Sequence, residues 1–133
     1  MVIDRSFPRS RSRASTASAD RSAVRILLAV SRDGLLERFD AEGHAGSDPR
    51  GANIACAAVT TLLRTAGRLC AAHALVQEGG GEKPGELRLV VAPVADEERE
   101  WLRGVTDFLL RGVHDLQDEF PREIQLLLEV REV

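Results

Sequence analysis

The sequence predicts an α+β domain of order β-β-α-(β)-β-α-β, with two helices packed on a mostly antiparallel sheet. Three observations carry that expectation. Two apolar runs, Val24–Val30 and Leu35–Ala41, flank Arg32-Asp33-Gly34, a turn with glycine where positive φ is needed, so they read as a hairpin. Two long segments, Ile54 to the low seventies and Asp96 to about Glu119, repeat apolar residues near the i, i+3, i+4 rhythm of a helix. Ile124, Leu126, Leu128 and Val130 then alternate with other side chains, the period of a strand with one buried face.

The elements follow in order. Residues 1–22 are rich in Ser and Arg and poor in apolar side chains. Such a segment buries too little surface to offset its ordering entropy, so a disordered tail is expected there and a folded domain over 23–133. On the returning strand, Leu35, Glu37, Phe39 and Ala41 share one face by alternation. Gly43 to Gly51 holds three glycines, Pro49 and Ser47-Asp48, and reads as a mobile loop. Asn53 is placed to cap the first helix, whose apolar positions are Val59, Leu62, Leu63, Ala66, Leu69 and Cys70. Ala74–Gln77 either finishes that helix or forms a short strand, and Gly79–Gly85 is an exposed connection. Glu86–Ala92 is a strand. Asp96, Glu97 and Glu98 open the second helix on the side that the macrodipole favours for acids. Its stripe is Trp101, Leu102, Val105, Phe108, Leu109, Val113 and Leu116, and Pro121 stops it.

Composition excludes several classes. An apolar fraction of 44% supports a single globular core. Aromatics are 4% and tyrosine is absent, which disfavours a module that stacks bases on rings. Residues 1–22 carry five arginines against two aspartates, +3, so the remainder carries −6 of the total −3. An acidic body argues against direct nucleic-acid binding by the folded domain, although an Arg-Ser tail has weak affinity for phosphate. Two cysteines fourteen residues apart in one helix cannot form a disulfide, which suits a reducing, cytoplasmic compartment. No stretch reaches the roughly 18 uninterrupted apolar residues of a membrane span, and the N-terminus lacks a secretory core. No cofactor is expected.

The chemistry concentrates in one segment. Gly43-His44-Ala45-Gly46 puts an imidazole on a glycine-flanked turn, and Cys56 follows twelve residues after it. If Asn53 caps the helix, Cys56 is its third residue, where unpaired N–H groups and the positive dipole end favour thiolate. The same N–H groups suit a developing oxyanion. His44 on a pliable loop could then act as base in a Cys–His pair. The alternative on these grounds is an inert cysteine in an alanine-rich helix. Cys70 is mid-helix and reads as structural, His73 as a solvated helix-end charge and His114 as a surface residue. A zinc site built from His44, Cys56, Cys70 and His73 fails on reach, because the two sulfurs would stand about 20 Å apart along one helix.

Gly43-His44-Ala45, then Gly51, then Asn53-Ile54-Ala55-Cys56-Ala57-Ala58-Val59 resembles the signature of the ribosomal-processing cysteine proteases called Prp. Members show Gly-His-Ala, a glycine seven after the histidine, and Asp-Ile-Val-Cys-Ala-Ala-Val-Ser. The leading hairpin, the Glu-rich start of the second helix, Leu109-Leu110-Arg111-Gly112 and Phe120-Pro121 before a last strand extend the likeness over about Val24 to Val133. The resemblance implies Cys56 as nucleophile and His44 as base, with Gly43, Gly51, Asn53 and Thr60 in support. Asn53 stands where members have Asp, and Thr60 where they have Ser. It further implies a substrate, the N-terminal extension of the twenty-seventh large-subunit ribosomal protein, and a homodimer packed through helices. A non-catalytic homologue that binds the same ribosomal protein is the alternative expectation.

Overall fold

The computed structural model describes residues 23–43, 53–80 and 86–132. The expected tail at 1–22, the loop residues 44–52, and 81–85 in the second connection lie outside the described residues. Among the described residues, five strands and two helices follow in the order β1 (Val24–Val30), β2 (Leu36–Glu42), α1 (Ile54–Ala72), β3 (Val76–Gly80), β4 (Glu86–Val91), α2 (Asp96–Glu119) and β5 (Ile124–Val130). The sheet order is β3-β4-β2-β1-β5. β1 pairs antiparallel with β2, β2 with β4, and β4 with β3. The exception to the antiparallel rule is β5, which runs parallel to β1. That pairing requires a crossover, and α2 supplies it between β4 and β5. α1 does the same between β2 and β3, so each helix lies across the sheet rather than beside it.

Both helices cover one face. Ile26, Leu28 and Val30 of β1, Phe39 of β2, and Ile124 and Leu126 of β5 form the floor of the core. Val59, Leu63 and Cys70 of α1 with Leu102, Leu109 and Val113 of α2 form its roof. Gly112 lets the helices close on each other, since a Cβ there would lie 2.8 Å from Leu62 Cδ1. By length and composition α1 could cross a membrane, but it carries Arg64 and Arg68, and its Leu63–Cys70 side is packed in this core. The other face of the sheet carries ion pairs such as Arg25–Glu42 and Arg88–Asp40, exposed and individually worth little.

Two details depart from the sequence pattern. On β2 the alternation slips: a bulge opposite Ala29/Val30 sets Val30 against Leu36 and leaves Glu37 extra. Leu36 therefore turns inward, and Glu37 pairs with Arg131 instead of sharing the face of Phe39 and Ala41. On α2 the buried stripe is rotated. Thr106 and Leu110 are inside, whereas Phe108 is 70% exposed. Thr106 is tolerated there because its hydroxyl donates to Leu102 O at 2.7 Å and accepts from Leu36 N at 2.9 Å. Val76–Gly80 is a strand: the sequence left Ala74–Gln77 open, but Gly79 and Gly80, read as part of an exposed connection, instead pair with Leu89 and Arg88 of β4.

Candidate active site

Asn53 caps α1 as expected. Its backbone is extended (φ −95°, ψ 126°), and its Oδ1 accepts the Cys56 N–H at 2.9 Å. The first helical bond, from Ala57 N to the Asn53 carbonyl, is 3.1 Å. Cys56 is thus the third residue of the helix and half-buried. Thr60 lies one turn further on the same side. Both line a groove of about 540 Å³ that also takes in Arg64 of α1, Glu42 and Gly43 at the end of β2, and Glu86 of β4.

Gly43 is not an arbitrary spacer. It sits at φ 105°, and a Cβ there would lie 2.5 Å from the Ala23 carbonyl oxygen. Only glycine lets the chain leave β2 so close to the start of β1. Gly43, the residue before His44 in sequence, is itself part of the groove's wall. His44 and Gly51 themselves lie outside the described residues.

The remaining candidates separate cleanly. Cys70 is fully buried in the core, and burial pushes its thiol above the ordinary range. His73 caps the C-terminus of α1, stacks on Trp101 with ring centroids 3.6 Å apart, and meets Glu98 Oε1 at 3.0 Å. It is a partnered side chain rather than a freely solvated one. His114 is half-buried on α2. With Asp115 and Asp118 it forms a group whose ligand atoms fall within 4.8 Å of one another. The two carboxylates are exposed and one turn apart, a spacing common on any acidic helix surface. Glu123 was missed by sequence reading: its Oε2 accepts from Asn53 Nδ2 at 2.9 Å, across 70 residues of chain.

This contrast gives an expected result for the two thiols. In the folded protein at pH 7, iodoacetamide should modify Cys56 at least about tenfold faster than Cys70, because alkylation needs an accessible thiolate. Peptide mass mapping reads both sites, and denaturation should erase the difference. Equal native rates would contradict the buried placement of Cys70.

The fold has known counterparts. A Streptococcus mutans protein, SMU.848, superposes with a TM-score of 0.67 at 23% identity, over 83% of this chain and 97% of its own. A Staphylococcus aureus protein described as the essential ribosomal processing protease Prp, in complex with a covalently linked product peptide, gives 0.66 at 15% identity, over 80% and 99%. The same protease with a substrate peptide gives 0.63 at 14% identity, over 80% and 99%. At these identities the likeness is one of fold. No curated protein matches at a significant level. The profile of the family described as cysteine protease Prp matches residues 24–125, which include the whole His44–Cys56 segment. On that match, the chain belongs to the Prp family of cysteine proteases.

Proposed function

We propose that this chain is a cysteine endopeptidase that removes the N-terminal extension of the twenty-seventh large-subunit ribosomal protein, with Cys56 as nucleophile and His44 as general base. The observation that carries the reading is Cys56 in the capped first turn of α1, on a groove whose facing wall ends at Gly43, the residue before His44. The S. aureus relative, described as a ribosomal processing protease, supports the substrate class. Processing of a ribosomal protein before assembly places the work in the cytoplasm. The protease unit spans 23–133, with 1–22 outside it.

In the reaction, Cys56 Sγ attacks the scissile carbonyl carbon while His44 takes the thiol proton. The tetrahedral intermediate collapses, the C–N bond breaks, and the proton passes to the departing amine. Water then attacks the thioester, His44 receives its proton, and the thiolate leaves. The Cys56 amide is committed to Asn53, so among the described residues the first-turn amides assigned to meet the oxyanion are those of Ile54 and Ala55. Thr60 supplies a hydroxyl on the groove, and Gly51 is kept as a supporting residue of the motif.

The test is a synthetic peptide spanning the extension and mature start of the ribosomal protein from the same genome. One cleavage at a single bond, with a thioester intermediate detected by mass, is the expected result. Tight binding without cleavage would replace this reading by the non-catalytic one, and neither binding nor cleavage would remove both.

A homodimer is part of the proposal. Leu62, Leu69, Trp101, Val105 and Phe108 line an apolar groove between the helices, and Leu69 is 44% exposed. A helix face of this kind suits burial against a second copy. Phe108→Asp is expected to shift the protein to monomer in light scattering and to leave its circular dichroism unchanged. An unaltered mass would exclude this face as the interface.

A further inference from the structure

The helix that carries Cys56 is capped by an amide whose orientation is set from a distant part of the chain. Asn53 is buried, and both ends of its side chain are used. Oδ1 accepts from the Cys56 N–H, and Nδ2 donates to Glu123 Oε2, each at 2.9 Å. Turned over, the same amide would present a donor to the Cys56 N–H, and the cap would be lost. An ionised carboxylate only accepts, so Glu123 admits one of the two orientations. Glu123 is itself anchored: its carbonyl accepts from Val24 N at 2.8 Å, and its N–H donates to Phe120 O at 3.0 Å. The first turn of α1 is thereby fastened to the entry of β5 and the start of β1.

We propose that Glu123 is a positioning residue for Cys56: its carboxylate holds the Asn53 amide with Oδ1 on the Cys56 N–H, and so fixes the turn that carries the sulfur. It acts through Asn53 and touches no substrate. The proposal rests on the reading of Cys56 as nucleophile. It has a second consequence. An aspartate at position 53 would face Glu123 as carboxylate against carboxylate, so one must take a proton or swing away. Positions 53 and 123 therefore form a matched pair. An acid at 53 is tolerated only with an amide at 123, which can donate to it while the acid still caps the Cys56 N–H.

The test compares Glu123→Ala, Glu123→Gln, Asn53→Asp and the double variant Asn53→Asp/Glu123→Gln with the native chain. Two readouts are used: the iodoacetamide rate of Cys56 at pH 7, well below the melting temperature, and Tm. Glu123→Gln keeps an acceptor for Asn53 Nδ2 and should stay within about twofold in rate. Glu123→Ala should slow alkylation by about three- to tenfold, because a released amide no longer orders the first turn. Asn53→Asp alone should lower Tm by about 5 °C, and adding Glu123→Gln should restore it. A merely structural tie would lower Tm in Glu123→Ala and leave the Cys56 rate alone. That result would overturn the proposal, as would an Asn53→Asp cost that is the same in both backgrounds. Neither readout needs a substrate. Coupling without peptide cleavage would remove the protease reading alone, and cleavage without coupling would remove the role of Glu123 alone.

Discussion

Cys56→Ala is expected to lower kcat/KM for the ribosomal-protein peptide by about 10⁴-fold or more, with Tm within about 2 °C of the native chain. The two halves of this expectation have separate causes. Without the sulfur no thioester forms, and the remaining donors of the helix stabilise only a slower attack by water. Stability is spared because the side chain is half-buried on a groove, and because alanine is the best helix former for an interior position. Cys70→Ala is the reverse case. It opens space in a fully buried site between α1 and the sheet, so it should cost stability, by about 1–2 kcal/mol, and keep catalysis. Peptide hydrolysis followed by mass spectrometry, with thermal melts on the same samples, separates the two. Cleavage by Cys56→Ala at the native rate would end the assignment of Cys56 as nucleophile. Equal loss of activity in both variants would trace the effect to folding.

How much of this could be read beforehand depends on whether a feature is local. Helix α2 begins at Asp96 and ends at Glu119 as its acids and Pro121 indicate, and α1 begins at Ile54 because Asn53 caps it. Those signals lie within a turn of the residues they govern. The partner of β5 does not: alternation marks Ile124–Val130 as half-buried but is silent on whether its neighbour runs parallel. The bulge at Glu37 likewise depends on how β1 and β2 meet, so periodicity alone misassigned Leu36 and Glu37. Thr106 was passed over because its hydroxyl finds Leu36 N across 70 residues, a satisfaction that no helical stripe displays. In the site, the cap and the helical position of Cys56 were legible from short-range chemistry, whereas the reason for glycine at 43, the Ala23 carbonyl twenty residues away, was not. Nor was the Glu123 contact to Asn53, since β5 enters beside α1 only after the sheet has closed.

The largest effect on stability is expected from Phe39→Ala, which should cost about 3–5 kcal/mol and lower Tm by about 15–25 °C. Phe39 is 1% exposed on β2, the middle strand of the five, directly opposite Leu28 on one side and Leu89 on the other. Removing the ring takes away the widest side chain on that floor. The neighbours cannot collapse into the space, because both are held by backbone ladders at fixed spacing. A domain of this size has about 5–15 kcal/mol in total, so a large share of its stability would go. Phe39→Leu keeps most of the volume and should cost well under half as much. The effect should reach the groove as well, because Ala41 and Glu42 at the end of β2 line it. Activity in Phe39→Ala should fall with the folded fraction as temperature rises and return to near-native levels on cooling below the midpoint. Urea melts give the free energies. A cost under about 1 kcal/mol for Phe39→Ala would mean that the ring is not the centre of the core, and activity lost at temperatures where the variant is fully folded would place Phe39 in the site instead.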